Sequence, residues 1–464
     1  MTKSKTHSNH KAADKTTDKT SNMSRREALK YLGFAGASTI AAGAAATSGI
    51  LLSSKPRDEK AKTNAKIVIA GAGAAGLTTA SYLAARLEGA KIIIIDPREA
   101  HYYQPGFTLV AAGIKEQNYP ISKTAAYIPE NVDYLQESVA EIDPDGNKVT
   151  TGSGKNIPYD YLFVATGMKL DYDAIEGMDT NLIGSEGIGS IYHGPESAHK
   201  TFQQLTQFSE KGGVALFQRP GTEMKCAGAP LKYAFIADDY LRRQNSRGKA
   251  EFIYNSNNKA LFSVPIVSEK VRMLFHERDI AMHHDRILKR IDPGKKIATF
   301  SSPNGDIELG YDFINVIPPM VANDVVMNSP LPWKEGLWKN EGWMEVDRGT
   351  LRHIRYPNVF GVGDIAGVPK GKTAASVKWQ VPVAVDHLVA EIAGKQSSAI
   401  YTGYTSCPMI TRYGRAMLVE FDYENNLMPS FPGVIAPLEE LWVSWVMKTM
   451  ALKPTYISML RGLA

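Results

Sequence analysis

The chain contains two cysteines, Cys226 and Cys407, and these are its candidate nucleophiles. An even pair of cysteines in an exported protein usually forms a structural disulfide, whereas two thiols that meet can also act as a redox pair. Cys226 lies on a loop that enters a predicted helix, where the helix dipole lowers the pKa of a thiol. Lys232, on that helix, is expected to be solvated. No Cys/His cluster has the spacing of a metal site.

A glycine-rich turn offers a second kind of chemistry. Gly71, Gly73 and Gly76 follow a short apolar run and precede a helical pattern, and a second apolar run ends at Asp96. In such a unit the first glycine permits the tight turn, the second lets the backbone approach a pyrophosphate, and the third lets the helix pack on the strand. The helix N-terminus favours phosphates, and the Asp96 carboxylate can accept hydrogen bonds from ribose hydroxyls. The unit predicts a dinucleotide site without separating FAD from NAD.

Two short turns further along the chain favour FAD. The sequence Ala165-Thr166-Gly167 ends one apolar strand, and Gly363-Asp364 ends another. With the glycine turn, they resemble the flavoproteins that contain two dinucleotide-binding domains. This resemblance implies non-covalent FAD, with both turns beside the cofactor.

The middle of the chain, about 182–320, repeats the alternation of strands and helices but lacks the glycines. Its first turn reads QRPGTEMKCAGAP, so it is not expected to bind NAD(P)H in the usual way. Cys226 takes the place of the missing phosphate loop and is expected to face the central cleft, which Cys407 can approach from the other side. Sulfide could attack a disulfide beside a flavin, leaving a persulfide on one cysteine and a thiolate on the other.

The chain resembles the type II sulfide:quinone oxidoreductases, including the mitochondrial ones, from about residue 65 to its end. The segments that carry the resemblance are, in order, HYYQPGFTLVAAG, KCAGAPLK, IPPM, YPNVFGVGD, KTAASV, YTSCPMITRYGR and LVEFDY. The resemblance implies that Cys226 and Cys407 are the redox pair and the persulfide sites, and that the electrons reach a membrane quinone through FAD. It also implies FAD contacts at Ala74, Ala75, Asp96, Gln104, Val139, Asp364 and Ala374.

The N-terminal segment carries the basic excess of the chain. Residues 1–62 hold 12 of the 53 Lys and Arg residues and 5 of the 48 Asp and Glu residues, so the remainder is slightly acidic, which argues against a nucleic-acid partner. The sequence SRREALK at 24–30 precedes a weakly hydrophobic stretch at 31–52. This pattern predicts a twin-arginine export signal after a disordered n-region, with an incidental arginine pair as the alternative. Export would make the protein a peripheral membrane protein of the periplasmic, outer face of a bacterial inner membrane.

The C-terminal tail, 437–464, is apolar and aromatic, with interrupting basic residues. Pro454 predicts two helices of about a dozen residues each, too short to span a bilayer. Apolar faces with Trp and flanking Lys and Arg predict helices that lie in the membrane interface. The alternative is a tail that packs on the core or on a second copy in a homo-oligomer.

The predicted fold class is α/β, with two Rossmann-like domains arranged as in glutathione reductase and an amphipathic tail. The alternating run at 132–142 predicts a strand. The predicted divisions are a disordered n-region and export signal (1–62), the first part of an FAD domain (63–181), a second Rossmann-like domain without its phosphate loop (182–320), the second part of the FAD domain (321–436) and a membrane-associating tail (437–464).

The leading hypothesis is an enzyme, an FAD-dependent sulfide:quinone oxidoreductase. One alternative is the flavoprotein subunit of a cytochrome-linked sulfide dehydrogenase, in which a third Cys near 97–105 holds the flavin covalently. This chain has no Cys there, and its apolar tail favours a quinone. A non-enzymatic alternative is a flavin-binding, membrane-associated scaffold with a structural disulfide.

Overall fold

The computed structural model describes residues 60–464 of the chain. The predicted n-region and twin-arginine signal lie outside the described residues, apart from the last three positions of 1–62. Of these, Ala61–Lys62 form a short strand that pairs with Leu87–Glu88.

The first part of the chain is built on a parallel sheet whose apolar strands are buried, as expected when helices and loops cover both faces. Its central strand, Lys66–Ala70, pairs with the strands Lys91–Ile95 and Tyr161–Val164. The strands are β1 (Ala61–Lys62), β2 (Lys66–Ala70), β3 (Leu87–Glu88), β4 (Lys91–Ile95), β5 (Ala100–Tyr102), β6 (Ile121–Lys123), β7 (Val132–Leu135), β8 (Val139–Asp143), β9 (Lys148–Thr151), β10 (Asn156–Pro158) and β11 (Tyr161–Val164). The helices are α1 (Ala74–Arg86) and α2 (Phe107–Val110), the latter after a 3-10 turn at Gln104–Gly106.

The middle part forms a second five-stranded parallel sheet with helices packed on it. The strands are β12 (Lys169–Leu170), β13 (Ile188–Gly189), β14 (Gly213–Gln218), β15 (Ala250–Asn255), β16 (Ile280–His283), β17 (Ile287–Asp292), β18 (Ile297–Ser301), β19 (Ile307–Gly310), β20 (Phe313–Asn315) and β21 (Met320–Val321). The sheet order is β13-β20-β14-β15-β16, and β17, β18 and β19 form a separate antiparallel sheet. The helices are α3 (Pro195–Lys211), α4 (Ala229–Arg243) and α5 (Pro265–Glu277).

The third part returns to the first sheet. Its elements are α6 (Asp324–Met327), β22 (Met344–Glu345), β23 (Val359–Gly361), β24 (Ala366–Gly367), α7 (Ala374–Ile392), β25 (Thr405–Arg412), β26 (Arg415–Phe421), α8 (Trp442–Val446), a π-helix (Met447–Ala451) and α9 (Leu452–Leu460). Strand β23 adds to the edge of the first sheet, which has the order β23-β11-β2-β4-β7. The first and third parts therefore share one sheet, and a large cluster of buried side chains spans both.

Two local predictions are wrong. The run 132–142 is not one strand, because β7 joins the parallel sheet and β8 joins an antiparallel sheet with β9. The tail is not divided at Pro454: helical turns continue from Trp442 to Leu460 through the π-helix at Met447–Ala451. Pro454 lies within one turn of the end of the π-helix. A proline removes one backbone hydrogen bond of a helix, and the wider turn of the π-helix before it accommodates that loss. Among residues 60–464, no helix is long and apolar enough to cross a membrane.

Candidate functional site

A cavity of about 850 Å³ lies where the two sheets and the tail meet. Most of the predicted site residues line it. These are Gly73, Ala74, Ala75, Gln104, Thr166, Gly167, Cys226, Gly363, Asp364 and Ala374. Gly71, Gly76, Asp96, Val139 and Cys407 are not part of its wall, although Ser406 and Pro408 beside Cys407 are.

The three glycines of the first turn have different surroundings. Gly71 has φ +102°, and a Cβ there would lie 2.5 Å from the Ala165 carbonyl oxygen. A Cβ on Gly76 would overlap the Gly71 carbonyl oxygen. At Gly73 the nearest protein atom would be 3.9 Å away, in the Arg98 guanidinium. Gly71 and Gly76 therefore allow the turn and the helix to pack, and Gly73 leaves room for a ligand at the start of α1.

Asp96 is buried behind this turn. Its carboxylate accepts hydrogen bonds from the Ala72 N–H at 2.7 Å and from the guanidinium of Arg98 at 2.7 and 2.9 Å. Burial alone would raise the pKa of Asp96, but the hydrogen bonds and charge of Arg98 hold the pKa below its ordinary value. The predicted contact between Asp96 and a ribose stays a prediction. The side chain of Asp96 is 4% exposed, and that of Arg98 is 51% exposed.

Val139 begins β8, in the antiparallel sheet with β9. It is half-buried and packs against the first core. Its predicted FAD contact also stays a prediction.

The Gly363-Asp364 turn lies against the start of α1. Gly363 has φ +79°, and a Cβ there would come 2.8 Å from the Ala75 Cβ. The Lys372 ammonium donates to the backbone carbonyl of Asp364 at 2.7 Å. Burial raises the pKa of the Asp364 carboxyl, and the nearby charges of Lys225 and Lys372 act in the opposite direction. Two segments far apart in sequence thus form one end of the cavity.

These features fit an extended dinucleotide such as FAD. The glycine turn and the helix N-terminus supply N–H groups and a positive dipole end for phosphates. From there the cavity wall continues past the turns at 166–167 and 363–364 to Cys226. The segment 97–105 also contributes to the cavity wall and contains no cysteine, which fits a cofactor that is bound non-covalently.

The two cysteines come from different parts of the chain and meet beside this cavity. Cys226 precedes α4 and is half-buried, and Cys407 lies on β25 and is buried; both are free thiols. The Cys407 thiol hydrogen-bonds the Cys226 sulfur. A Cβ on Gly228 would overlap the Cys407 sulfur, so a glycine is required for the approach of β25 to α4.

The backbone at Cys226 is held in an uncommon conformation. Cys226 has φ +46°, a left-handed value that costs a residue with a side chain on the order of 1 kcal/mol. Its N–H donates to the Lys372 carbonyl at 2.9 Å, and its carbonyl accepts from the Tyr192 hydroxyl at 3.0 Å. These two bonds fix the direction of the Cys226 side chain toward Cys407.

Two buried lysines face the cysteines. Lys232 Nζ lies 3.3 Å from Cys226 Sγ, so the prediction that Lys232 is solvated is wrong: it is 2% exposed. The hydrogen bond from Cys407 and the charges of Lys232 and Lys448 hold the pKa of Cys226 well below its ordinary value, although burial opposes them. The same hydrogen bond and burial raise the pKa of Cys407. Cys226 is therefore the sulfur that carries negative charge more readily.

Lys448 was not identified from the sequence as part of the site. It lies on the π-helix, is 2% exposed, and donates to the Pro105 carbonyl at 2.8 Å. Burial and the charge of Lys232 lower the pKa of Lys448 to about 7. No local pattern marks it, because it reaches the cysteines only through the folding of the tail.

The tail forms one wall of the cavity. The Tyr456 hydroxyl and His101 Nε2 are 2.7 Å apart, and the Leu460 carbonyl accepts from the Ser81 hydroxyl at 2.7 Å. Burial lowers the pKa of His101 to about 4, so its ring is neutral at physiological pH. The tail is thereby joined to α1 and to β5 by buried polar contacts.

Comparisons with known proteins agree with this geometry. The family model "Pyridine nucleotide-disulphide oxidoreductase" matches residues 65–207. The mitochondrial sulfide:quinone oxidoreductase of Mus musculus is 37% identical over 375 residues, which cover 80% of this chain and 81% of that protein. The mitochondrial enzyme of Dictyostelium discoideum is 38% identical, over 82% of this chain and 83% of that protein.

A solved structure extends the likeness to the fold. The sulfide:quinone oxidoreductase of Aquifex aeolicus superposes with a TM-score of 0.68 at 22% identity, covering 86% of this chain and 91% of that one. The α/β fold of the pyridine nucleotide-disulphide oxidoreductases is therefore confirmed.

The predicted cellular location is wrong. The two relatives above are mitochondrial proteins, which are not exported by the twin-arginine route. The arginine pair and the apolar stretch behind it, on which the periplasmic location rested, lie outside the described residues.

Proposed function

Because this chain belongs to the sulfide:quinone oxidoreductase family, we propose that it oxidises sulfide at the Cys226–Cys407 pair and passes the electrons through FAD to a quinone. The observation that carries the residue assignment is the meeting of Cys226 and Cys407 beside one cavity, with Lys232 Nζ 3.3 Å from Cys226 Sγ.

The residues that would hold FAD are those of the cavity wall. Gly73, Ala74 and Ala75, at the start of α1, would bind its phosphates, and Asp364 lies in the same part of the cavity wall. When bound, FAD accepts an electron pair from the cysteine site and transfers it to the quinone.

The sulfide step begins with the cysteines joined as a disulfide. Hydrosulfide attacks the Cys407 sulfur, a new S–S bond forms, and the bond between the cysteines breaks. Cys407 is left as a persulfide and Cys226 as a thiolate, so the atoms and the single negative charge balance. The leaving sulfur is Cys226 because a thiol of lower pKa leaves faster, and its pKa is the one that Lys232 and Lys448 depress.

The two lysines also select the substrate. Hydrosulfide is an anion, and two buried ammonium groups create a positive potential at the cysteines. As Lys448 has a pKa of about 7, its charge depends on pH in the range where hydrosulfide must bind.

The tail supports a contact with the membrane surface. Met450 and Leu463 are 68% and 66% exposed at the tail, and Val434 shortly before it is 71% exposed. Exposed apolar side chains beside the opening of a site that accepts a lipid-soluble quinone favour a peripheral membrane protein.

The test is the visible spectrum of the purified FAD-bound protein under anaerobic conditions. Sulfide is expected to bleach the flavin, and a short-chain ubiquinone is expected to restore its colour. Cys226→Ser is expected to slow bleaching by on the order of 100-fold or more, because it removes the sulfur that passes electrons onward. Bleaching of Cys226→Ser at the wild-type rate would refute the cysteine mechanism.

The alternatives have distinct outcomes in the same assay. Reduction of cytochrome c but not of quinone would indicate a cytochrome-linked dehydrogenase. A flavin that sulfide leaves unchanged would indicate the non-enzymatic scaffold.

A further inference from the structure

Two lysines share one aromatic ring where the tail packs on the first part of the chain. Lys453 lies on α9; its ammonium donates to the Tyr119 carbonyl and lies 4.4 Å from the centre of the Tyr119 ring. Lys115, in the loop before β6, places its ammonium 5.1 Å from the centre of the same ring. Neither lysine lines the cavity, so the sulfur chemistry does not use them.

The protein does not neutralise these two positive charges. Within residues 60–464, neither ammonium lies within 4.0 Å of a carboxylate oxygen. Glu116, which follows Lys115 in the sequence, is exposed and pairs with neither lysine. The Tyr119 ring offers only the partial negative charge of its face. Burial and the charge of Lys115 lower the pKa of Lys453, as expected when one cation lies near another. An anion bound by both ammonium groups would relieve this repulsion.

Both ammonium groups keep hydrogens for a ligand. An ammonium has three N–H donors, and Lys453 uses one of them on the Tyr119 carbonyl. A lysine carries its charge on a flexible stem, so the two groups can turn toward one phosphate group.

The surface around the two lysines is apolar and exposed. Met450, three residues before Lys453 on the same helical run, is 68% exposed, and Ile121, two residues after Tyr119, is 41% exposed. Pro454 beside Lys453 is exposed as well. A free phosphate would leave these apolar side chains in water, whereas a lipid offers them acyl chains beside its phosphate.

We propose that Lys115 and Lys453 form a binding site for the headgroup phosphate of an anionic phospholipid, with Met450 and Ile121 against its acyl chains. The inference rests on the membrane contact of the proposed function, whose lipid it specifies. Phosphatidylcholine also has a phosphate, but its choline cation offsets the charge that the lysines attract. The site therefore gives a preference for negatively charged lipid that apolar side chains alone would not produce.

The experiment is sedimentation of the FAD-bound protein with vesicles of phosphatidylcholine alone and of phosphatidylcholine mixed with phosphatidylglycerol. Wild type is expected to bind the mixed vesicles more tightly. Lys115→Gln and Lys453→Gln are each expected to weaken binding to the mixed vesicles by about 5-fold and to leave binding to phosphatidylcholine unchanged. The matched control is Lys211→Gln, which removes an exposed lysine at the end of α3 and is expected to bind as wild type.

Met450→Asp separates the lipid site from the membrane contact as a whole. It is expected to weaken binding to both kinds of vesicle, whereas the double variant of Lys115→Gln and Lys453→Gln is expected to lose only the preference between them. Equal binding of wild type to the two vesicles, or a preference that survives in the double variant, would refute the site and leave the membrane contact standing. Wild type that sediments with neither vesicle would refute both.

Further measurements cover folding and the other possible occupant. Each lysine variant is expected to reduce a water-soluble quinone as wild type does, because neither lysine is in the cavity wall. If a variant melts early, salt titration of wild type replaces it. The preference for mixed vesicles is expected to vanish at about 0.5 M NaCl, and a preference that persists there would contradict the site. A lipid-free dimer that the double variant dissociates would assign the lysines to a second copy and overturn the proposal.

Discussion

Lys232 Nζ lies 3.3 Å from Cys226 Sγ; Lys232 is buried, and Cys226 is half-buried in the cavity wall. An ammonium at that distance stabilises a thiolate and has little effect on a neutral thiol. The Lys232 ammonium therefore helps to make the pKa of Cys226 lower than that of Cys407.

Lys232→Met is expected to raise the pKa of Cys226 in the reduced protein. Alkylation by iodoacetamide, measured as a function of pH, is expected to shift to higher pH, and flavin bleaching by sulfide to slow by about 10- to 100-fold. Lys211→Met, at the exposed end of α3, is the control and is expected to match wild type. An unshifted alkylation profile in Lys232→Met would show that Lys232 does not set the thiol pKa.

Gly73→Ala is expected to impair FAD binding, whereas Gly76→Ala is expected to impair folding. A methyl group at position 76 overlaps the Gly71 carbonyl oxygen, so the apoprotein is expected to melt at a markedly lower temperature or not to fold. At position 73 the protein leaves room, so the apoprotein is expected to melt as wild type while FAD affinity falls about 10-fold or more. Wild-type FAD affinity in Gly73→Ala would place the phosphates elsewhere.

His101 is expected to make stability depend on pH. Burial lowers its folded pKa from 6.5 to about 4, so between these values the unfolded chain binds more protons than the folded one. The contribution of His101 to the free energy of unfolding is therefore fully present above pH 6.5. It falls by on the order of 3 kcal/mol as the pH drops to 4.

His101→Gln keeps a polar partner for the Tyr456 hydroxyl but does not titrate. Denaturant unfolding at pH 7, 6, 5 and 4 is expected to show a flatter pH dependence in this variant. His276→Gln is the control, because His276 lies on α5 away from the cavity. Parallel profiles for wild type and His101→Gln would contradict the assignment.

Met450→Asp is expected to weaken binding to anionic lipid vesicles by roughly 10-fold, since it replaces an exposed apolar side chain by a charge. Reduction of a water-soluble quinone is expected to be unaffected, because Met450 is not in the cavity wall. Ile400→Asp, which changes a residue 59% exposed outside the tail, is the control in a vesicle sedimentation assay. Equal sedimentation of the two variants would remove Met450 from the membrane contact.

Local patterns in the sequence predicted much of the fold. The apolar run, the helical pattern and the second apolar run around the glycine turn correspond to β2, α1 and β4, because all three patterns depend on residues that are close in sequence. The run at 132–142 was predicted wrongly because alternation does not reveal which sheet a strand joins.

The site was harder to predict from local sequence patterns than the fold. The meeting of Cys226 and Cys407 was implied by a family resemblance, since spacing along a chain does not determine which distant segments touch. The burial of Lys232 and Lys448 follows from tertiary contacts made by the tail, and a lysine in a helical pattern is ordinarily solvated. The Asp96–Arg98 pair was not predicted, although the two residues are only two positions apart, because sequence alone does not show which side chains pair.

The tail wall of the cavity also bears on biosynthesis. The helical run from Trp442 to Leu460 leaves the ribosome after the other elements of the cavity, because they precede it in the chain. The cavity of a nascent protein therefore lacks its tail wall until this run has emerged. Only then can the contacts of the tail with Ser81 and His101 form.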